Sequence, residues 1–169
     1  MFYFFHGTTF CAFASILETG RLIASHYLPS SLKSHIRINP ETKYIYTNIY
    51  VDGLPLDDRE YAGYGEVTLI IDPLVLKYHT CYFNKGWAKH TDNSIIMNDN
   101  VDTVLEYVTS SYKFPLITQH EALFERSISA KFIIGIICEP YVKPMARKYL
   151  DQYGYSYVKI FRRFPTLIG

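Results

Sequence analysis

The first ten residues, MFYFFHGTTF, are the part of the sequence that most limits how this chain folds. Phe2 to Phe5 form a run of large apolar side chains, which is typical of a buried strand. The run gives way to His6, Gly7 and a pair of threonines, and apolar residues at helical spacing follow. A threonine in this place is a good helix cap. We therefore predict a strand that ends in a polar cluster and leads into a helix.

The composition is typical of one globular domain, and we expect it to span residues 1–169. Hydrophobic residues make up 49% of the chain, and the formal net charge is only +1. This charge excludes a global basic field, so a nucleic-acid target would have to be held locally. The three cysteines are widely spaced, which favours reduced thiols. No signal peptide or membrane span is indicated, and we expect a cytoplasmic or otherwise intracellular protein without membrane contact.

The sequence patterns indicate several strands and few helices, which are placed irregularly along the chain and do not alternate. The predicted strands are YIYTNIYV, EVTLIID, TCYF, QHEALFE, FIIGIIC and YSYVKIF. The predicted helices cover residues 11–18, 58–64, 99–108 and 142–153, and residues 25–43 are predicted to be a surface loop. This irregular order favours an α+β fold over a doubly wound parallel sheet.

The polar cluster at residues 6–9 has two interpretations. A lone histidine at a strand end is most often a satisfied core residue. Here, however, it precedes Gly7, whose backbone allows close approach of a ligand, and then Thr8 and Thr9. A histidine beside an exposed backbone amide can bind a ribose hydroxyl and a carboxamide together. This combination indicates a nucleotide-binding site.

The segment HGTTFCAFASILETGRLIAS resembles the first motif of the ADP-ribosyltransferase superfamily, in its diphtheria-toxin and poly(ADP-ribose)-polymerase branch. In that branch a His, a Tyr and a Glu motif lie on separate strands around NAD. The resemblance implies a split antiparallel β-sheet core with a few flanking helices. It also implies that His6, Gly7 and Thr8 bind NAD. In this assignment His6 bonds the adenosine ribose, and the backbone of Gly7 holds the nicotinamide carboxamide.

Two later segments resemble the remaining motifs. In KYIYTNIY, Tyr46 matches the tyrosine that stacks on nicotinamide, with Tyr44 as the alternative, and Tyr61 or Tyr64 stands where a second stacking tyrosine is often found. In TQHEALFERSISAKFIIGI, the match to the motif glutamate is Glu121. This segment is also similar to that of the DNA-targeting ADP-ribosyltransferase toxins.

The chemistry explains why a glutamate is needed. Breaking the bond between nicotinamide and ribose places positive charge on the sugar, and a fixed carboxylate stabilises that charge. Glu121 suits this role, and Glu125 is its main rival, because strand alternation turns both to the same face. His120 is interpreted as an exposed loop residue.

The resemblance implies NAD-dependent transfer of a single ADP-ribose to a protein or nucleic acid, with nicotinamide released. NAD is then a co-substrate, and no metal is expected. Two alternatives stay open. One is an NAD-dependent RNA 2′-phosphotransferase on the same fold. The other is a catalytically inactive module that binds ADP-ribose or a partner protein.

Overall fold

The computed structural model describes residues 1–33, 42–52, 65–84, 95–111 and 120–161. Within these ranges the chain forms ten strands and four α-helices. The strands are β1 (Phe2–Thr8), β2 (Arg21–Ile23), β3 (Tyr44–Val51), β4 (Val67–Ile71), β5 (Cys81–Asn84), β6 (Ile95–Ile96), β7 (Glu121–Glu125), β8 (Ser127–Ser129), β9 (Ile133–Cys138) and β10 (Lys159–Phe161). The helices are α1 (Phe10–Thr19), α2 (Ser30–Lys33), α3 (Val101–Ser111) and α4 (Lys143–Gln152).

Eight of these strands form one sheet in the order β10-β9-β4-β1-β3-β7-β5-β6, and β2 pairs with β8 in a small second sheet. Neighbouring strands are antiparallel, except that β10 runs parallel to β9. Strands that are distant in sequence are therefore neighbours at the centre, where β1 lies between β4 and β3. The α+β prediction is confirmed.

Helix α1 forms where the sequence predicts it, for identifiable reasons. The Thr9 hydroxyl oxygen accepts a hydrogen bond from the Ala12 N–H at 3.2 Å, and Gly20 ends the helix at φ 69°. The buried face consists of Phe13, Ile16 and Leu17. This face packs into the main core and fixes the direction in which the chain leaves β1.

The two faces of the large sheet carry cores of different size. The main core includes Phe4 of β1 and Ile49 of β3, and it also takes the apolar faces of α1, α3 and α4. The smaller cluster on the opposite face consists of Tyr3, Phe5, Tyr50 and Ile70. Successive residues of β1 therefore alternate between the two cores, as strand geometry requires.

Several boundaries differ from the prediction. Strand β1 continues through the polar cluster to Thr8, because pairing with β4 extends that far. The last predicted strand is limited to Lys159–Phe161, and β8 lies between the predicted strands QHEALFE and FIIGIIC, where no strand is predicted. The predicted loop begins with a 3₁₀ turn at Ser25–Tyr27 and helix α2. The helix predicted over residues 58–64 lies outside the described residues. None of the described helices combines the length and the apolar character needed to cross a membrane.

Candidate nucleotide-binding site

The large sheet opens between its two central strands. The β1–β3 ladder runs from the Phe2–Val51 pair to the Phe5–Asn48 pair and ends there. Beyond this point His6–Thr8 pair only with β4, and Tyr44–Thr47 pair only with β7. We call this place, where β1 and β3 have no ladder pairs, the split. It begins at the residue where the apolar run of the sequence changes to HGTT.

The backbone of Gly7 is directed into the split. The Asp52 N–H donates to the Met1 carbonyl at 2.7 Å, which makes these two residues a hydrogen-bonded pair of the antiparallel register. Such pairs recur at every second residue, so Gly7 also turns its N–H and C=O towards β3. In a continuous ladder its partner would be Tyr46. The Tyr46 carbonyl is instead a hydrogen-bond acceptor for the His6 side chain.

His6 joins the two strands across the split. Its Nδ1 lies 2.8 Å from the Tyr46 carbonyl oxygen, and because a carbonyl only accepts, Nδ1 carries the hydrogen. Burial lowers the pKa of His6, and the hydrogen bond to Tyr46 opposes that shift. The ring is therefore neutral at pH 7, and Nε2 is a hydrogen-bond acceptor. An acceptor at this position suits a ligand hydroxyl.

Thr8 and Gly65 lie against each other at the end of β1. Gly65 has φ +137°, and a Cβ added to it would lie 2.3 Å from the Thr8 carbonyl oxygen. Glycine is therefore required here for the chain to pass the end of β1. The next residue, Glu66, accepts a hydrogen bond from the Phe10 N–H at 2.9 Å. This carboxylate and the Thr9 hydroxyl together satisfy amides at the start of α1.

Glu121 begins β7 on the other side of the split. It pairs with Asn48 of β3 and with Asn84 of β5, and Asn48 also pairs with Phe5 of β1. Directly opposed residues share a face, so these four side chains form one row across the sheet. Because strands are spaced about 5 Å apart, Glu121 lies roughly 10 Å from the β1 backbone beside the split. Its side chain is buried, with 9% exposure.

Tyr46 lies one row away from Glu121 on the same face. It pairs with Leu123, and its hydroxyl is 3.2 Å from the Thr42 hydroxyl oxygen. The structure thus brings Tyr46 and Glu121 together. His6 leaves β1 on the opposite face, the face of Phe4 and the main core. His6 and Glu121 thus lie on opposite faces of the sheet, on either side of the split.

The two candidate glutamates have different surroundings. Glu125 lies at the exposed end of β7, roughly 13 Å along the strand from Glu121. It pairs with Tyr44 and accepts a hydrogen bond from the Tyr82 hydroxyl at 3.3 Å. The charge of Glu125 and burial raise the pKa of Tyr82. Glu121 is the glutamate whose row reaches the split.

The prediction of an exposed His120 is wrong. Its side chain is 3% exposed, and its ring packs against those of Phe83 and Tyr107, with centroids 6.0 and 5.6 Å away. Burial lowers its pKa to about 4, so the ring is neutral at pH 7. The period-2 pattern of QHEALFE gave the signal for this, since His120 alternates with Glu121 and falls on the face of Ala122 and Phe124.

Two predicted positions lie outside the described residues. These are Tyr61 and its alternative Tyr64. The sequence motifs do not include Asn48 and Asn84. Asn48 alternates in phase with Tyr46 of its own strand, whereas Asn84 comes opposite Glu121 only through the pairing of β5 with β7. In the part of the chain that the structure describes, no three or more His, Cys, Asp or Glu side chains are arranged to hold a metal ion.

A family model matches residues 1–113 and is described as a family of unknown function, DUF5846. The chain belongs to this family. The matched part contains His6 and Tyr46 and ends before Glu121. This DUF5846 chain is also 28% identical to Uncharacterized protein R11 of Acanthamoeba polyphaga mimivirus, in a match that covers 81% of the chain and 55% of R11. The chain thus spans about half the length of that curated relative.

Solved structures with the same fold include DarT from Thermus sp. 2.9 and DarTG from Thermosipho africanus. Thermus DarT with NAD⁺ has a TM-score of 0.65 and 16% identity, over 95% of each chain. The same DarT in complex with ADP-ribosylated single-stranded DNA has a TM-score of 0.60 and 16% identity, over 95% of this chain and 94% of that one. DarTG with ADP-ribose has a TM-score of 0.60 and 13% identity, over 94% and 49%. The fold of the chain is therefore the DarT ADP-ribosyltransferase fold.

Proposed function

We propose that this chain transfers ADP-ribose from NAD to a macromolecular acceptor and releases nicotinamide. The observation that carries the proposal is the split, where the β1–β3 ladder ends. There the Gly7 peptide group is turned towards β3, His6 bonds to the Tyr46 carbonyl, and the row of Glu121 reaches the last paired residue of β1. The likeness of the fold to NAD⁺-bound DarT supports the same reading. The sequence resemblance to the His-Tyr-Glu branch supports it independently.

The β1 side of the split binds the two ends of NAD in this proposal. The neutral His6 ring accepts a hydrogen bond at Nε2 from a hydroxyl of the adenosine ribose. The Gly7 N–H and C=O, which are directed towards β3, pair with the C=O and NH₂ of the nicotinamide carboxamide, and Thr8 continues this binding edge. A carboxamide carries one acceptor and two donors, so it matches a peptide group that offers one of each.

The β3 and β7 side supplies stacking and charge. Tyr46 lies on the face of Glu121, and its ring provides an apolar surface for nicotinamide. Glu121 bonds the 2′-hydroxyl of the neighbouring ribose and stabilises the positive charge that forms on the sugar as the bond to nicotinamide breaks. The acceptor then attacks the same carbon, its proton is lost, and one ADP-ribose is transferred.

Nucleic acid is the acceptor class that we favour. Thermus DarT forms a complex with ADP-ribosylated single-stranded DNA, and its fold is the one found here. On the face of Glu121, the rings of Tyr44 and Tyr82 meet edge to face with centroids 6.0 Å apart. Aromatic side chains beside a site of transfer suit bases of a single strand, which gain about 1–3 kcal/mol each by stacking.

The test uses the whole chain with NAD labelled in its adenine portion. Separate reactions receive single-stranded DNA, duplex DNA, RNA or a pool of denatured and native proteins, and each is scored for label in the macromolecular fraction. We expect label in single-stranded DNA together with free nicotinamide. Label in protein alone would change the acceptor class. NAD binding without nicotinamide release on any acceptor would favour the inactive binding module.

A further inference from the structure

The strongest feature that the proposed roles do not use is a pair of asparagines on either side of Glu121. Asn48 precedes it in the cross-strand row and Asn84 follows it, so the glutamate has an amide side chain opposite it on each neighbouring strand. Directly opposed residues have Cβ atoms about 5 Å apart. Both amides are thus within reach of the Glu121 carboxylate.

Of the two asparagines, Asn84 is the one that is buried together with Glu121. Asn84 is 3% exposed and Glu121 is 9% exposed. Two polar side chains rarely lie buried and opposite each other unless they share hydrogen bonds, since each would otherwise lose its bonds to water. An amide NH₂ can donate to a carboxylate while leaving its negative charge in place. A lysine or arginine there would neutralise that charge.

We propose that Asn84 is a positioning residue for Glu121, and that its amide donates to the carboxylate and fixes the direction in which it faces the ribose. This inference rests on the function proposed for Glu121. A carboxylate held in one orientation before the reaction stabilises developing charge without having to reorganise. Asn84 itself does not touch NAD.

The titration of Glu121 also depends on the other polar and charged side chains near it. From β3 the same face carries Tyr44, Tyr46 and Asn48, from β5 it carries Tyr82, and from β7 itself it carries Glu125. Glu125 is the other charged side chain of this face on β3, β5 and β7, and it lies at the far end of β7. His120 faces the opposite side, between Phe83 and Tyr107. A charge introduced at Asn84 therefore lies closer to Glu121 than the charge of Glu125 does.

The first measurement is independent of activity. The carboxyl ¹³C signal of Glu121, assigned by its absence in Glu121→Gln, is titrated in the wild type, Asn84→Asp and Asn84→Leu. Asn84→Asp keeps the shape and adds a like charge, and Asn84→Leu removes the donor. Both changes disfavour the charged form of Glu121, so we expect its pKa to rise by about one unit or more in each.

Asn98 offers a matched control at the other end of β5. Its side-chain oxygen accepts from the Cys81 N–H at 2.8 Å, and its NH₂ donates to the carbonyls of Leu76 and His79 at 2.7 and 3.0 Å. Asn98→Asp should lower thermal stability and leave the Glu121 titration unchanged. An unchanged Glu121 titration in folded Asn84→Asp would overturn the proposal, and that variant is the decisive one if Asn84→Leu does not fold.

Kinetics then separate this inference from the proposed function. In Asn84→Leu we expect the kcat for transfer to fall about tenfold or more, with little change in KM for NAD, because the carboxylate is misdirected while the proposed contacts of His6, Gly7 and Tyr46 with NAD stay intact. The acid limb of the pH profile should move to higher pH in Asn84→Asp. If the titrations shift as expected but the wild type does not break NAD, the pairing stands and the proposed function fails. If the wild type is active and the titrations do not shift, only the role of Asn84 fails.

Discussion

At the scale of single residues, the position of one hydrogen on His6 decides what the ring can bind. The Tyr46 carbonyl requires that hydrogen on Nδ1, which leaves Nε2 as an acceptor. The motifs predict His6 and Tyr46 to be site residues, but the sequence contains no sign that they bond to each other. That bond depends on where the β1–β3 ladder ends, which is a property of the folded sheet.

Replacement of Tyr46 tests whether its ring contributes to NAD binding. Tyr46→Ala removes the stacking surface, so we expect binding to weaken by about 1 kcal/mol, an increase of roughly fivefold in Kd. Tyr46→Phe keeps the ring and loses only the contact with Thr42, and it should bind NAD nearly as well as the wild type. Titration calorimetry with NAD measures both. Equal affinity in Tyr46→Ala and the wild type would transfer the stacking role to another tyrosine, such as Tyr44.

At the scale of elements, the start of β7 places two adjacent residues in different surroundings. Glu121 lies on the face of Asn48 and Tyr46, while His120, immediately before the strand, is enclosed by rings from β5 and α3. Neither ring nitrogen of His120 has a hydrogen-bond partner among the described residues. Because this burial favours the neutral ring, the packing that holds the start of β7 is sensitive to acid.

The acid sensitivity has a definite direction. The pKa of His120 is about 4 in the folded chain against an ordinary value of 6.5. As the pH falls below about 6.5, the unfolded chain gains the proton first, so folded stability is lost until the pH reaches about 4. The difference corresponds to about 3 kcal/mol.

The variant His120→Phe keeps an aromatic ring between Phe83 and Tyr107 and removes the titration. We expect its free energy of unfolding to fall less than that of the wild type between pH 7 and pH 4, as measured by urea denaturation. His26→Phe, at an exposed histidine, is the control and should follow the wild type. The hypothesis fails if His120→Phe loses as much stability in acid as the wild type does.

At the scale of the whole molecule, local patterns predicted the long elements better than the short ones. The β-branched and aromatic run of residues 44–51 predicts β3 with its observed ends, and the spacing of apolar residues predicts α1. Strands β2, β6 and β8 have three residues or fewer, which is too short for a period of two to be recognised. Strands β2 and β8 form because each supplies hydrogen bonds to the other from a distant part of the sequence, and β6 forms by pairing with β5.

The order of strands was also beyond local patterns. Strand β1 is central because β3 and β4 pair on either side of it, and the row from Phe5 to Asn84 crosses four strands. Register of this kind depends on long-range pairing, so Glu121 was identifiable from its motif whereas its amide neighbours were not. The resemblance to a known family implies that the sheet is split. The pairing of β1 with β3 shows where the split begins.

The central claim is that Glu121 stabilises the charge formed when NAD breaks, and Glu121→Gln tests it most directly. The variant keeps size and hydrogen-bonding capacity but removes the charge, so NAD affinity should change little while transfer of labelled ADP-ribose falls by about 10²-fold or more. Glu125→Gln, at the far end of the same strand, is the matched control and should transfer nearly as well as the wild type. Full transfer by Glu121→Gln, together with loss in Glu125→Gln, would contradict the account.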